Sequence, residues 1–243
     1  MKEQTVHDNE TLLAFWDQAF AIPEEEKQAA RSEGAGNWEQ MAPSEKLLRA
    51  VCGLGECRKV LDYGCGNGWA AVAAAKSGCE DVTAADAAPN AVSAAEFIAE
   101  LCGVNDRVHP VLSAGDWLAS VPAGTYDGLV ISNVLDVVPP ETAKELIAQA
   151  ARAAAPGARV VIGFNYYLSP EAAEEKGAGL EAGRMLYVNG VLRLVSRSDD
   201  EWRELFGPYF TVESLEHFAW PGEAEERRRL FRLIRKPEAN ENE

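Results

Sequence analysis

The segment Val60-Leu-Asp-Tyr-Gly-Cys-Gly-Asn-Gly-Trp69 decides the fold that this sequence predicts. A short apolar run ends near an acidic side chain, glycines stand at positions 64, 66 and 68, and a helical pattern follows. Glycine lets the backbone turn sharply, and it lets a ligand reach backbone N–H groups without a Cβ in the way. The segment therefore predicts a strand, a tight turn suited to a ligand, and a helix.

Short apolar runs and helical patterns continue to alternate up to about residue 165. The predicted strands are Val60–Tyr63, Asp81–Asp86, Val108–Leu112, Gly128–Ser132 and Arg159–Phe164, and the predicted helices between them are Asn67–Lys76, Pro89–Leu101 and Glu141–Ala155. Such alternation predicts a parallel sheet with helices on both faces.

The C-terminal third breaks this alternation. Asn189-Gly190, between two apolar runs, fits the type I′ turn of a hairpin. Ser198-Asp-Asp-Glu201 matches a capping box at the start of a helix. Two further strands, Phe210–Ala219 and Arg228–Arg235, predict an antiparallel finish to the sheet.

We therefore expect one α/β domain, doubly wound, with a mostly parallel seven-stranded sheet and an antiparallel C-terminal strand. Its parts are a helical N-terminal cap (1–56), a core (57–165), a hairpin insertion interpreted as a substrate lid (166–198), the last helix and terminal strands (199–236), and a disordered tail (237–243).

The chain is strongly acidic, since 39 acidic and 23 basic side chains give a formal net charge of −16. Affinity for nucleic acids comes largely from Lys and Arg side chains that displace condensed counterions. Anionic membranes attract the same cationic side chains. The composition therefore disfavours nucleic-acid and membrane partners.

The five cysteines all lie between positions 52 and 102 and include no C-x-x-C pair. This pattern indicates reduced thiols rather than disulfides or a metal site. Residues 1–10 are polar and acidic and do not resemble a secretory signal. The sequence therefore predicts a cytoplasmic protein that binds no metal.

The glycine spacing separates two families of nucleotide-binding folds. A dinucleotide fingerprint, G-x-G-x-x-G, needs a small third residue where this chain has Trp69. The segment instead resembles the D-x-G-x-G-x-G motif of class I S-adenosylmethionine-dependent methyltransferases, which have a Rossmann-like fold. The resemblance implies that Asp62 helps to bind the cofactor's ammonium and that Gly64, Cys65 and Gly66 line the cofactor. A tight turn without a ligand is the alternative.

Asp86, at the tip of the second predicted strand, and the neighbouring Ala87 form the second expected contact. A carboxylate at this place accepts hydrogen bonds from ribose hydroxyls in both families, so it indicates a nucleoside without choosing between them. An exposed loop carboxylate is the alternative.

Asp116 and Trp117, after the third strand, form the third expected contact. The resemblance implies that Asp116 accepts a hydrogen bond from the adenine amino group. A carboxylate can accept from an amino group but cannot pair with a carbonyl, so this position favours adenine. Trp117 is expected to pack on the ring. The alternatives are an N-cap for Asp116 and a core position for Trp117.

Residues at the tip of the fourth strand are the candidates for contact with the methyl acceptor. Asn133 is expected to hydrogen-bond the acceptor or the cofactor, and Asp136 is expected to deprotonate or orient the acceptor. Trp16 is expected to close over the cofactor from the N-terminal cap. The alternative for Asp136 is an exposed carboxylate at the start of a helix, and the alternative for Trp16 is core packing.

Three residues beyond the fifth strand are also expected to face the crevice: Asn165, Tyr166 and Tyr167. Three arginines around the hairpin are considered as a site for an acidic substrate: Arg184, Arg193 and Arg197.

The acceptor is narrowed by what the sequence lacks. The fourth-strand tip reads Ser132-Asn-Val-Leu135, which differs from the D/N-P-P-Y/F tetrad of DNA amino-methylating enzymes, and no Pro-Cys pair occurs. We therefore expect S-adenosylmethionine to methylate a small molecule. The alternatives are a protein or nucleic-acid methyltransferase and a catalytically silent protein that binds the adenosyl cofactor.

Overall fold

The architecture is that of a single seven-stranded sheet, seen in a computed structural model that describes residues 2–237, with side chains from Gln4 onward. The strands, with those of a separate hairpin, are β1 (Val60–Tyr63), β2 (Val82–Asp86), β3 (Val108–Leu112), β4 (Tyr126–Ser132), β5 (Ala154–Phe164), β6 (Met185–Val188), β7 (Val191–Val195), β8 (Phe210–Phe218) and β9 (Arg228–Arg235).

The spatial order of the main sheet is β3-β2-β1-β4-β5-β9-β8. The strands β1 to β5 run parallel to their neighbours, while β9 runs antiparallel to both β5 and β8. This confirms the predicted doubly wound α/β fold with one antiparallel strand. Because β1 lies between β2 and β4, the strand order reverses there, and ligands bind at such a reversal in open α/β sheets.

The α-helices connect and cover the strands. They are α1 (Lys2–Ala19), α2 (Glu24–Glu33), α3 (Glu45–Cys52), α4 (Trp69–Lys76), α5 (Pro89–Leu101), α6 (Trp117–Ser120), α7 (Pro140–Ala153), α8 (Pro170–Glu175) and α9 (Asp199–Phe206), with 3₁₀ turns at Trp38–Met41 and Gly53–Glu56.

Two predicted helix boundaries were wrong. Helix α4 begins at Trp69 rather than Asn67, because Gly68 adopts a left-handed φ of 78° that no helix can contain. Helix α7 ends at Ala153 rather than Ala155, because β5 already begins at Ala154.

The sheet buries both of its faces, as the continuous apolar character of the parallel strands predicts. Alternate side chains such as Val60 and Val130 pack under α3, α4 and α5. Their neighbours Leu61 and Leu129 pack under α6, α7 and α9 on the other face. The strand tips are thereby held rigidly in one row.

The hairpin and the capping box form as the sequence predicts. Asn189 and Gly190 both have positive φ, 53° and 78°, as a type I′ turn requires. Ser198 accepts from the N–H of Glu201, whose carboxylate accepts from the N–H of Ser198. The predicted tail, 237–243, lies outside the described residues except for Pro237. Within residues 2–237, no helix is long and apolar enough to cross a membrane.

Candidate active site

A cavity of about 500 Å³ opens at the carboxyl ends of β1, β2 and β4. Its wall combines the strand tips with α1, α7 and the loop before β9. The lining residues are Asn9, Leu12, Leu13, Trp16, Phe20, Pro43, Tyr63, Gly64, Cys65, Gly66, Asn67, Trp69, Asp86, Ala87, Ala88, Ser113, Gly115, Ser132, Asn133, Val134, Val137, Val138, Thr142, Leu146 and Trp220.

The turn between β1 and α4 has no room for a side chain at Gly64 or at Gly68. A Cβ on Gly64 would lie 2.2 Å from Cγ2 of Val134, and one on Gly68 would lie 2.9 Å from Cβ of Ala95. Both glycines also have positive φ, 71° and 78°. Val134, which follows β4, and Ala95, in the middle of α5, therefore pack directly on the backbone of this turn.

Asp86 is the carboxylate that reaches the cavity. Its Oδ2 accepts from the N–H of Gly66 at 2.9 Å, and its Oδ1 accepts from the N–H of Ala88 at 2.9 Å. Burial raises the pKa of Asp86, while these N–H groups act in the opposite direction. The side chain thus joins the glycine turn to the start of α5 and presents its remaining lone pairs to the cavity.

Helix α1 forms one wall. Trp16 stacks on Phe20 with ring centroids 5.8 Å apart, and a Cβ on Gly66 would lie 2.7 Å from Cζ of Phe20. The aromatic pair therefore lies beside the glycine turn, where the sequence placed Trp16.

Three contacts hold α1 in this position. Asp17 accepts from the backbone N–H of Asn90 at 2.7 Å at the start of α5. Tyr187 of the hairpin donates to Oδ2 of the buried Asp8 at 3.0 Å. The guanidinium of Arg193 lies 4.2 Å from the ring centroid of Phe15. The hairpin contributes none of the described lining and contacts α1, so its role as a substrate lid stays a prediction.

Asn133 lies on the wall at the tip of β4. Its φ of 57° is left-handed, a conformation that asparagine tolerates better than most residues. Its N–H donates to the carbonyl of Gly163 at 2.8 Å, which fixes the backbone at the end of the strand. The structure therefore brings Asn133 to the cavity together with Asp86, Trp16, Ala87 and the residues of the glycine turn.

Asp62 is not on the cavity wall. The residue is only 2 % exposed, and its Oδ2 accepts from the N–H of Ala71 at 3.1 Å in the first turn of α4. Burial raises the pKa of Asp62 to about 7. The carboxylate lies behind the glycine turn and joins β1 to the first turn of α4, and its expected contact with the cofactor stays a prediction.

Asp116 and Trp117 also lie off the wall. Asp116 is the N-cap residue of α6 and is exposed, although Gly115 beside it lines the cavity. Trp117 packs against the core under α6 and α7. The three carboxylates that were expected to converge are thus separated: Asp86 on the wall, Asp62 behind it and Asp116 outside it.

Asp136 is fully buried behind the wall. Its Oδ2 accepts from the N–H of Asn165 at 2.7 Å, and its backbone carbonyl accepts from the N–H of Val195 at 2.7 Å. Desolvation raises the pKa of Asp136. This arrangement ties the end of β4 to the end of β5 and to β7, so the side chain cannot reach an acceptor in the cavity without rearrangement.

Other residues expected at the crevice lie elsewhere. Tyr166 and Tyr167 line a separate cleft beside the start of β9, and Asn165 bonds to Arg228.

The three arginines that were considered for an acidic substrate all have other partners. Arg184 pairs with Glu201 at 3.1 Å. Arg197 is buried with its guanidinium 4.9 Å from the ring centroid of Trp202, and Arg193 lies over Phe15.

Trp220 is a wall residue that sequence reasoning missed. The guanidinium of Arg228 lies 3.3 Å from a ring centroid of Trp220 and is held by both carboxylate oxygens of Glu223, at 2.8 and 3.0 Å from Nε. The backbone N–H of Trp220 donates to the same Glu223 carboxylate at 2.9 Å. The sequence Trp220-Pro-Gly-Glu signalled only a turn, because the partner that orients the ring comes from the next strand.

Neither Tyr63 nor Cys65, two titratable groups of the lining, is expected to be ionised at neutral pH, because burial raises both pKa values. Across the described part of the chain, no three His, Cys, Asp or Glu side chains are grouped so that they could hold a metal ion.

Sequence comparison gives two results. A family profile described as a methyltransferase domain matches residues 20–221. A ribosomal protein L11 methyltransferase from Cupriavidus metallidurans is 32 % identical over 148 residues, which cover 61 % of this chain and 41 % of that protein. The alignment thus spans about two-fifths of the length of that relative.

Structural comparison finds the same fold in distant proteins. The N-methyltransferase NodS of Bradyrhizobium japonicum, solved with S-adenosyl-L-homocysteine, has a TM-score of 0.58 at 16 % identity, covering 87 % of this chain and 99 % of that one. The magnesium protoporphyrin IX methyltransferase of Synechocystis, also solved with S-adenosyl-L-homocysteine, has a TM-score of 0.54 at 19 % identity, covering 73 % of each chain. At these identities the likeness establishes the fold alone.

The burial of Asp62 predicts a pH-dependent stability. A carboxyl whose pKa is raised by folding stabilises the native state most when the pH is below its unfolded pKa, and this contribution is lost as pH rises through about 7. Asp62→Asn removes the titration and keeps an oxygen to accept from Ala71. We expect the unfolding free energy of the variant, relative to wild type, to rise by roughly 2–3 kcal/mol between about pH 5 and pH 8.

Asp127→Asn is the matched control. Desolvation opposes ionisation of Asp127, but the N–H groups of Lys59 and Arg58 outweigh it and lower its pKa. Its replacement is expected to lower the free energy of unfolding by the same amount at every pH in this range. Denaturant titrations at each pH measure both differences, and a pH-independent difference for Asp62→Asn would contradict the assigned burial.

Proposed function

Because this chain belongs to the methyltransferase domain family, we propose that it transfers the methyl group of S-adenosylmethionine to a small-molecule acceptor. The observation that carries the proposal is the cavity at the strand-order reversal, which combines a bare glycine turn with the Asp86 carboxylate. When bound, S-adenosylmethionine supplies a methyl group on a sulfonium, from which an in-line nucleophile displaces the thioether.

The glycine turn fits the cofactor. Gly64, Cys65 and Gly66 line the cavity, and the two glycines have left-handed φ of 71° and 54°. This conformation brings their backbone to the cavity wall, while Val134 and Phe20 fill the places where their Cβ atoms would stand. We assign these residues to the methionine part of the cofactor. Asp62 acts on it indirectly, by anchoring the turn through Ala71.

Asp86 is assigned to the ribose. Two carboxylate oxygens offer about four lone-pair sites, and the N–H groups of Gly66 and Ala88 use two of them. The remaining two match the two vicinal hydroxyls of a ribose. Ala87, beside it on the wall, leaves room for the adjacent adenine.

Asp116 is assigned to the adenine amino group, with Trp117 packed behind it. The neighbouring Gly115 already lines the cavity and has a φ of 67°. For this contact the Asp116 side chain has to turn toward the cavity, because its carboxylate is exposed to solvent in this structure.

The chain's remaining task is to hold the acceptor in line with the methyl group and to exclude water. Proximity and orientation of this kind supply up to roughly 7–11 kcal/mol of a reaction barrier. Helix α1 covers the cavity with Leu12 and Trp16, and Asn133 offers an amide to orient the acceptor. Held by the glycine turn and Asp86, the cofactor would supply the methyl group and keep the electron pair of the carbon–sulfur bond, and the acceptor would give up its proton to water outside the cavity.

A protein acceptor is the second candidate. It is favoured by the relatives named ribosomal protein L11 methyltransferase, one of which is 32 % identical over 61 % of this chain. The wall that α1 builds over the cavity favours the small molecule, because a protein side chain must enter past this helix. The net charge of −16 weighs against a nucleic-acid acceptor.

Cofactor binding tests the role of Asp86. In Asp86→Asn, the charge and one acceptor oxygen are lost, so S-adenosylhomocysteine is expected to bind about tenfold or more weakly, since a hydrogen bond to a charged group contributes roughly 1.5–3 kcal/mol. Calorimetric titration measures the affinity. Asp81→Asn, at a surface ion pair with Lys59, is the control and should bind like wild type. Equal affinities for all three proteins would remove Asp86 from the site.

Discrimination between purines tests the role of Asp116. S-inosylhomocysteine carries a carbonyl where adenine carries the amino group, and a carboxylate cannot pair with a carbonyl. Wild type is expected to prefer S-adenosylhomocysteine, and Asp116→Ala is expected to lose most of this preference. A preference that survives unchanged in the variant would exclude Asp116 from adenine recognition.

Transfer of labelled methyl tests the reaction itself. The purified protein is incubated with methyl-labelled S-adenosylmethionine and a cell extract, which is then separated into small molecules, protein and nucleic acid. Label is expected among the small molecules, with Asp86→Asn and a reaction without enzyme as controls. Label found only in protein would establish the second candidate. Absence of label, with S-adenosylhomocysteine bound, would indicate a catalytically silent binding protein.

A further inference from the structure

The cavity has two chemically different parts. One part is formed by the strand tips, with the glycine turn, Asp86 and Gly115. The other, which we call the α1–α7 wall, is formed by Leu12 and Leu13 of α1, by Val137 and Val138 of the loop after β4, and by Leu146 of α7. If the first part holds the cofactor, as proposed above, the second is left for the acceptor.

Helical spacing explains why these side chains converge. Asn9 and Leu13 are four residues apart on α1, and Thr142 and Leu146 are four apart on α7, so each pair shares one face of its helix. Each of these two pairs places one apolar and one neutral polar side chain on the cavity lining, and α1 adds Leu12 and Trp16. Asn9 and Thr142, which border the α1–α7 wall, contribute an amide and a hydroxyl, and neither group carries a charge.

Two cations on the elements that form or contact this wall are engaged elsewhere. Lys144 pairs with Glu141 at 2.8 Å on the exposed face of α7. Arg193, which contacts α1, lies over the ring of Phe15. Among the described lining residues, the group that carries a formal charge is the Asp86 carboxylate. The cavity therefore offers an anion no counter-ion, and the net charge of −16 adds to its repulsion.

Because of desolvation, this arrangement favours uncharged molecules over anions. Burying an unpaired carboxylate or sulfonate among leucines and valines costs far more than burying an apolar group, because the charge loses its water and gains no partner. An uncharged apolar body gains from the same contacts in proportion to the area that it buries.

We propose that the methyl acceptor presents an uncharged, apolar body to the α1–α7 wall, and that Leu13 and Leu146 determine this specificity. Asn9 and Thr142 orient its neutral polar groups. The inference rests on the proposed function, because it assigns the strand-tip part of the cavity to the cofactor.

Two dyes that share one ring system provide the test. N-phenylnaphthylamine is neutral, and anilinonaphthalenesulfonate differs from it chiefly by one sulfonate. Both fluoresce more strongly in apolar surroundings. Each is titrated into the full chain saturated with S-adenosylhomocysteine, whose binding is measured first by calorimetry.

The neutral dye is expected to bind wild type at least about tenfold more tightly than the sulfonate. Leu13→Lys puts a cation at a position that is 39 % exposed, where a charge is tolerated in the fold. This variant is expected to reduce or reverse the difference in affinity between the two dyes. Leu146→Lys provides a second, independent position, with thermal melting followed to confirm that each variant folds.

Leu112→Lys is the matched control, because Leu112 is 48 % exposed on β3 and does not line the cavity. It should leave the preference of wild type unchanged. The proposal is overturned if wild type binds the sulfonate as tightly as the neutral dye, if neither dye binds, or if both cavity variants keep the wild-type preference. Failure to bind S-adenosylhomocysteine would instead count against the proposed function.

Discussion

The structure depends on two positions of one turn where no side chain fits, Gly64 and Gly68. The turn after β1 lies in contact with Val134 at the tip of β4 and with Ala95 of α5, at distances that exclude a Cβ on Gly64 or Gly68. Asp86 then fixes the turn from the side of the cavity through the N–H of Gly66. Because these contacts meet at one point, the position of three strand tips and the shape of the cavity follow from the same few glycines.

Helix α1 extends this arrangement beyond the sheet. It has little apolar contact of its own with the sheet, and it is positioned by a hydrogen-bonded pair at α5, Asp17 with Asn90, and by the hairpin through Tyr187. The hairpin, although it lies outside the main sheet, thus contributes to the site through the helix that it supports. Helix α1 and the hairpin are thus linked to each other beside the main sheet.

Local patterns made most of the fold predictable from the sequence, and long-range contacts explain what was missed. The Asn189 turn and the capping box at Ser198 depend on neighbouring residues, so their sequence signatures were sufficient. The direction of Asp136 depends instead on the backbone of β5, and that of Trp220 on Arg228 of the next strand. Asp62 shows the same limit, because its position at the strand end was correctly predicted but its hydrogen bond to α4 turns the carboxylate away from the cavity.

The division of the cavity between sheet and helices has a consequence for how the protein tolerates substitution. Leu13 and Leu146 are at most partly buried and stand on helices at the periphery, while the glycine turn is enclosed by the core. Substitutions at the helical positions are expected to cost little folding free energy, whereas a side chain at Gly64 or Gly68 would clash with Val134 or Ala95. The same scaffold can therefore accommodate helical walls of different shape and polarity without any change to its rigid centre.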